Sequence, residues 1–268
     1  MLIARLCTAL VALLVFLAAL FYLPQIGWAL FLMPWLLIGA WEWTTLVKWP
    51  LAARIIYLLV AGALCGALWI LVVAPAYAEA GIMLYTIALG FWLLVAPLWL
   101  ARGWRARHPL PLALTGMVLL LPLWLALVQL QGEPRLLLIL LIIIWISDTA
   151  AFLSGKRWGQ RKLAPAISPG KTWEGVAGAL AAVTLYYVFV PADLTTGHAV
   201  LNGAAGLAVF LALTVLGMEG DLFESWIKRT AKVKDSGTVL PGHGGILDRV
   251  DALTPSMPVA ALLLAWFA

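Results

Sequence analysis

Apolar residues run along this chain in long unbroken stretches, with neither the alternation of a strand nor the one-sided stripe of a surface helix. The stretches are about 18 to 23 residues long, which is the length at which an α-helix crosses the hydrocarbon core of a bilayer. Nine can be drawn, at about 6–23, 27–47, 54–74, 81–100, 109–130, 135–154, 172–191, 198–218 and 250–267. The pattern predicts an all-α, polytopic integral membrane protein with about nine transmembrane helices. Arg5 before the first stretch gives it the flank of a signal peptide. No soluble segment follows and the second stretch begins at once, so it reads as a retained helix. The ninth is interrupted at its start by Pro255 and Pro258.

Composition agrees. The 268 residues are 65% hydrophobic and 11% charged, against roughly half and a quarter in soluble chains. Fifteen Trp are expected at membrane–water interfaces. Cys7 and Cys65 lie in apolar stretches and read as small packing residues; with three scattered His they give no zinc-ligand spacing.

The net charge of +5 is informative only through its distribution, and it is not read as a nucleic-acid footprint. Lys and Arg gather before stretch one (Arg5), after two (Lys48, Arg54), after four (Arg102, Arg105, Arg107), after six (Lys156, Arg157, Arg161, Lys162, Lys171) and after eight (Lys228, Arg229, Lys232, Lys234, Arg249). The other loops hold Arg135 with Glu79, Glu133 and Asp193. The positive-inside rule places the N-terminus and the basic loops in the cytoplasm, and the C-terminus across the cytoplasmic (inner) membrane. The chain reads as one membrane domain. Residues 1–130 form hydrophobic scaffold helices, and residues 135–268 form catalytic helices and cytoplasmic loops. Gly175-Val-Ala-Gly178 and Gly203-Ala-Ala-Gly206 permit close helix approach. Tight packing within the chain is the favoured use, with a homodimer seam the alternative.

Four polar clusters carry the chemistry. Asp148 near the end of stretch six is costly without a base, a metal or backbone donors; a salt bridge to Lys156 or Arg157 would be the bland solution. In the following loop, Ser168-Pro169 breaks regular structure, and Thr172 with Glu174 can open the next helix. That leaves Lys171 beside a helix N-terminus, a place suited to an anion. In Glu219–Arg229, helical spacing puts Asp221, Glu224, Ser225 and Lys228 on one face. They suit either a metal next to a phosphate or ordinary helix salt bridges. Last comes Pro241-Gly-His243-Gly244-Gly245, whose glycines let backbone amides curl round phosphate oxygens. Asp248 and Asp251 follow, three apart and able to point the same way. Hard oxygen ligands, bases and flexible backbone, without sulfur, suit Mg²⁺ and a phosphate-rich substrate. Two-metal phosphoryl or nucleotidyl transfer is the chemistry expected, and no P-loop motif is present. A transporter would place such groups near the midplane between repeats, and no repeat is evident.

From Ser225 to Asp251 the chain resembles the signature of the CDP-diacylglycerol synthases (phosphatidate cytidylyltransferases) of bacterial type. Ser225, Ile227, Lys228, Arg229, Lys234, Asp235, His243, Gly244, Gly245, Ile246, Asp248, Arg249 and Asp251 all fall in place. The loop Lys162–Gly175 and the segment Gly220–Ser225 are similar to further family blocks. Residues 1–130 resemble the family mainly in hydropathy and in Glu42 of Ala40-Trp-Glu-Trp43. Where the family commonly has Asp-Thr-Gly-Ala-Tyr-Phe, this chain reads Asp148-Thr-Ala-Ala-Phe-Leu153, keeping the aspartate. The resemblance implies CTP and phosphatidic acid as substrates, and CDP-diacylglycerol and pyrophosphate as products. It implies Mg²⁺ held by Asp221, Asp248 and Asp251, with Asp148 next; the number of metals and a monovalent cation beside them stay open. Lys171, Lys228, Arg229, Lys234 and Arg249 would bind phosphates, and Ser225, Asp235 and the His243–Gly245 backbone would orient the reacting oxygens. A polyprenol kinase-like enzyme and a catalytically silent scaffold are the remaining alternatives.

Overall fold

A computed structural model describes residues 2–73, 78–105, 108–191, 195, 197–239 and 244–267. The helices are α1 (Leu2–Tyr22), α2 (Gln25–Leu46), α3 (Leu51–Val73), α4 (Ala78–Gly90), α5 (Ala96–Arg102), α6 (Pro109–Leu130), α7 (Pro134–Trp158), α8 (Trp173–Phe189), α9 (Gly203–Ala231), α10 (Leu247–Val250) and α11 (Leu253–Trp266). A π-helical turn, Phe91–Val95, joins α4 to α5, so the two run on as one span. Among the described residues, six spans are long and apolar enough to cross a bilayer: α2, Leu51–Ile70, Glu79–Arg102, α6, α7 and α9. Three more apolar helices, Leu10–Tyr22, α8 and α11, are shorter. Large apolar side chains such as Leu59, Leu94 and Val188 face outward, which suits hydrocarbon.

Sequence punctuation fixes the helix ends. Pro109 and Pro134 open α6 and α7 at positions where a missing N–H costs nothing. The Thr172 hydroxyl accepts from Gly175 N (3.1 Å) and caps α8. Gly103 closes α5 in the left-handed conformation.

Several of the tryptophans lie in the interior rather than at interfaces. Trp28, Trp43 and Trp92 are fully buried. Trp28 and Trp43 Nε1 donate to the Leu127 and Leu112 carbonyls (2.9 and 3.0 Å), and Trp124 Nε1 donates to Ala29 O (3.3 Å). These bonds pin α2 antiparallel to α6. The seams of small residues are likewise internal. A Cβ on Gly178 would strike Ser154 of α7, and one on Gly206 would strike the Leu201 carbonyl.

Two further differences bear on the site. The Ser168-Pro169 segment is not a break but strand β2 (Ser168–Thr172), paired antiparallel with β1 (Lys162–Ala164). The last apolar stretch is split: α10 belongs to the polar region, and α11 is an almost fully buried helix packed against α4, α6 and α9.

Candidate active site

The expected face of α9 forms. Its helix continues without a break from the apolar stretch to Ala231. Ser225 Oγ donates to Asp221 Oδ1 (3.3 Å), and Lys228 Nζ to Glu224 Oε2 (2.9 Å). Buried Lys228 also donates to Asp248 Oδ1 of α10. One ammonium is therefore shared by two carboxylates that lie 24 residues apart in sequence, Glu224 and Asp248.

Asp248 is fixed from every side. Its Oδ2 accepts from Ser236 N (2.9 Å), Ser236 Oγ (3.0 Å) and Gly245 N (2.9 Å). Burial opposes its ionisation, but Lys228 and the two backbone donors outweigh that and hold its carboxyl below the ordinary carboxylate value. Gly245 N therefore points at Asp248 rather than curling toward a ligand. Gly244, at φ +81°, makes the left-handed turn that leads into it.

The structural partner that the sequence hid is Glu42, near the end of α2. It is 3% exposed. Its Oε1 accepts from Ile246 N (3.0 Å), and its Oε2 from Leu247 N (2.9 Å) and Ser236 Oγ (3.1 Å). The single Ser236 hydroxyl proton thus lies between the Glu42 and Asp248 carboxylates. A Cβ on Gly237 or Gly245 would overlap the Glu42 carboxylate, so both glycines are there for close approach. Residues 1–130 are accordingly more than scaffold: one of their helices supplies the acceptor that seats α10. The available signal was the cost of a lone carboxylate in an apolar stretch. Ser236, inside the signature's spacer, had no signal of its own.

Lys171 does not stand free at the start of α8. Its Nζ pairs with Asp221 Oδ2 (2.7 Å) and reaches Met218 O (3.4 Å), joining the hairpin to α9. Asp148 interacts electrostatically with Asp221 and Lys171, not with Lys156 or Arg157. Arg229 Nε donates to Ile167 O (3.3 Å) and Nη1 to Val233 O (3.1 Å), tying α9 to the turn of the hairpin. Trp226 Nε1 donates to Trp104 O (2.9 Å), which brings the loop after α5 to the same end. Lys234, Asp235 and Arg249 are exposed. His243 lies outside the described residues.

Asp248 and Asp251 part company. Asp251 faces Glu224 and Asp221, and its Oδ1 accepts from Ala252 N (2.8 Å). Among the described residues no three His, Cys, Asp or Glu converge as a ready metal cage, so the four aspartates do not form one ligand set. Yet Glu224 Oε1 is buried against Asp251 and receives no N–H or hydroxyl donor, so the two carboxyls face each other directly. The aromatic cluster of Phe91, Trp92 and Trp99 stacks edge-on around Phe223, with centroids 5.5 to 5.7 Å apart, and walls the acidic end of α9.

The profile of the cytidylyltransferase family matches residues 3–267. A phosphatidate cytidylyltransferase of Pseudomonas aeruginosa is 39% identical, over 97% of this chain and 96% of its own length. One from Haemophilus influenzae is 33% identical over 95% of each chain. One from Bacillus subtilis is 47% identical over 47% of this chain and 46% of its own.

Proposed function

This chain belongs to the cytidylyltransferase family, and from that premise we infer that it transfers the cytidylyl group of CTP to phosphatidic acid in phospholipid synthesis. A phosphate oxygen of phosphatidic acid bonds to the α-phosphorus of CTP as the bond to the β-phosphate oxygen breaks. CDP-diacylglycerol and pyrophosphate result. The observation that carries the reading is the Lys228 ammonium, buried between Glu224 and Asp248 in the signature segment. Farther back on the same helix, Asp221 pairs with Ser225 and Lys171.

The nucleophile is anionic near neutral pH, so no strong general base is required; positioning and charge stabilisation carry the step. Asp221 and Asp248 hold Lys171 and Lys228 in place until phosphate oxygens compete for the same N–H groups. Ser225 orients an oxygen through its hydroxyl. Arg229, Lys234 and Arg249 add positive charge at the rim. Asp235 lies near Gly244.

The donor set fits Mg²⁺. Asp221, Asp251 and Glu224 offer hard oxygens, and the buried Glu224 and Asp251 carboxyls face each other closely enough to share a proton or a cation. A full protein cage is not required, because Mg²⁺ takes one or two carboxylates and fills its shell with substrate phosphate and water. When bound, the ion supplies neutralisation of the triphosphate and of the departing pyrophosphate. Asp148 stands next to this set, and Asp248 acts through Lys228.

The positive-inside pattern puts the site end of the bundle in the cytoplasm of a bacterial inner membrane, with the C-terminus opposite. CTP then arrives from water, and the lipid from the adjoining leaflet. The test is purified protein in phosphatidic acid micelles with labelled CTP and Mg²⁺. CDP-diacylglycerol and pyrophosphate should appear in equal amounts, and lipid phosphorylation without pyrophosphate would refute the reading.

A further inference from the structure

Directly beneath α10 lies a half-open apolar slot with a cavity volume of about 70 Å³. Its walls are Leu32, Leu36 and Gly39 of α2, Leu123 and Leu127 of α6, and Val250 of α10. Ile246 closes the top. Ile246 and Val250, four residues apart, share one face of α10, and Asp248 between them takes the opposite face. One short helix therefore separates the slot from the polar site. The slot leads inward: Gly39 is three residues and Leu32 ten residues before Glu42, so at 1.5 Å per residue it extends about 15 Å from the site level toward the bilayer interior. Trp35, 39% exposed, stands at its rim. The Trp124 indole in its wall already donates to Ala29 O, so that N–H is not available to a polar guest.

We propose that this half-open slot seats a segment of one acyl chain of the phosphatidic acid substrate, the rest of the chain lying in the bilayer, an assignment that rests on the reading under Proposed function. The chemistry admits hydrocarbon and excludes a polar ligand, whose hydrogen bonds would go unmet there. Its position matches a lipid whose phosphate is held on one face of α10 while its chain descends past the other. A chain gains little free energy in moving from bilayer to slot, because lipid tails are as apolar as leucine. The slot therefore acts by aiming the headgroup, and its effect appears in turnover of long-chain substrate.

Phosphatidic acid with a photoactivatable diazirine near the end of one acyl chain, reconstituted with the full protein in lipid nanodiscs, tests this directly. Label should map to Leu32–Gly39 and Leu123–Leu127, and excess phosphatidic acid should suppress it where phosphatidylcholine of the same chains does not. Equal suppression by phosphatidylcholine, which means an ordinary bilayer lipid, overturns the proposal, as does label concentrated on outward residues such as Leu59 and Leu94. In parallel, Leu32→Trp should lower kcat/KM for dioleoyl phosphatidic acid by about tenfold and leave dihexanoyl phosphatidic acid and the KM for CTP unchanged. Leu30→Trp, on the outer face of the same helix, should alter neither. Equal loss with both lipids also overturns the slot. If the wild-type protein makes no CDP-diacylglycerol from either lipid, the functional reading fails instead, and the labelling pattern still reports whether the slot takes a chain.

Discussion

Replacing Glu42 by glutamine changes one oxygen for an NH₂ group at nearly constant volume, and the surroundings make that exchange costly. The glutamate oxygens face three donors: Ile246 N, Leu247 N and Ser236 Oγ. A glutamine keeps one acceptor and must turn its amide hydrogens toward at least one of those donors. A buried donor left without its acceptor costs about 1–3 kcal/mol. The serine hydroxyl can turn wholly to Asp248 Oδ2, so the strain falls on the two backbone amides that open α10. Because α10 carries Asp248, and Asp248 holds Lys228, the same energy is withdrawn from the geometry of the reacting site. If about 1.4–2.7 kcal/mol of it appears in the barrier, turnover falls roughly ten- to a hundredfold. Glu42→Ala removes every acceptor and should be worse in both activity and thermal stability. The assay is CDP-diacylglycerol formation by reconstituted protein at saturating CTP, with tryptophan-fluorescence melting in detergent as the measure of folding. Ser236→Ala completes a double-mutant cycle with Glu42→Gln, and the two losses should be less than additive because they share one proton. Full turnover by Glu42→Gln, or strictly additive losses, would refute the argument that Glu42 and Ser236 act as one clamp.

Other substitutions test the remaining contacts. Asp248→Asn should abolish Mg²⁺-dependent product formation while the protein still inserts and melts cooperatively, checked by labelled CTP and fluorescence melting. Gly245→Ala sets a methyl against Ser236 and the Glu42 carboxylate; it should cost about 1–3 kcal/mol by overpacking, visible as a lower melting temperature together with lost activity. Lys171→Met leaves Asp221 without its 2.7 Å partner and should raise the KM for CTP more than it lowers kcat, as expected of a phosphate-binding cation. Glu224→Gln should weaken the Mg²⁺ dependence, measured as the concentration giving half-maximal turnover, more than it affects the KM for lipid; an unchanged Mg²⁺ profile would remove Glu224 from the ion's surroundings.

What sequence conveys about such a protein divides along the range of the interaction. The apolar stretches follow from local length and hydropathy; among the described residues six of them are helices long enough to cross a bilayer, and the other three fall on shorter apolar helices. The α9 face was legible too, because Asp221, Glu224, Ser225 and Lys228 lie at spacings that the helix period alone converts into neighbours. Pairings between elements were not. Lys171 with Asp221 spans 50 residues and Glu42 with Leu247 spans 205, and no periodicity relates them. The same limit explains the tryptophans. Composition predicts interfacial rings, but whether an indole turns outward or finds a carbonyl on a neighbouring helix, as Trp28 and Trp43 do, depends on which helices meet.

The position of Glu42 also bears on why the polar signature needs the apolar half at all. Lys228 lies in the last turn of α9 and Ser236, Gly245 and Asp248 follow it closely in sequence, and they could satisfy one another without outside help. They would then close into a self-contained network, free to drift relative to the membrane. Glu42 removes that freedom, because its backbone is fixed by α2, and α2 is pinned to α6 by buried indole bonds. A carboxylate with backbone and hydroxyl donors, rather than a lysine, as its partners does this without taking a cation from the phosphate-binding set. The first half of the chain thus sets the depth at which α10 sits. On the proposed reading, that depth decides whether a phosphate at the lipid headgroup and a nucleotide from water can meet the same lysine.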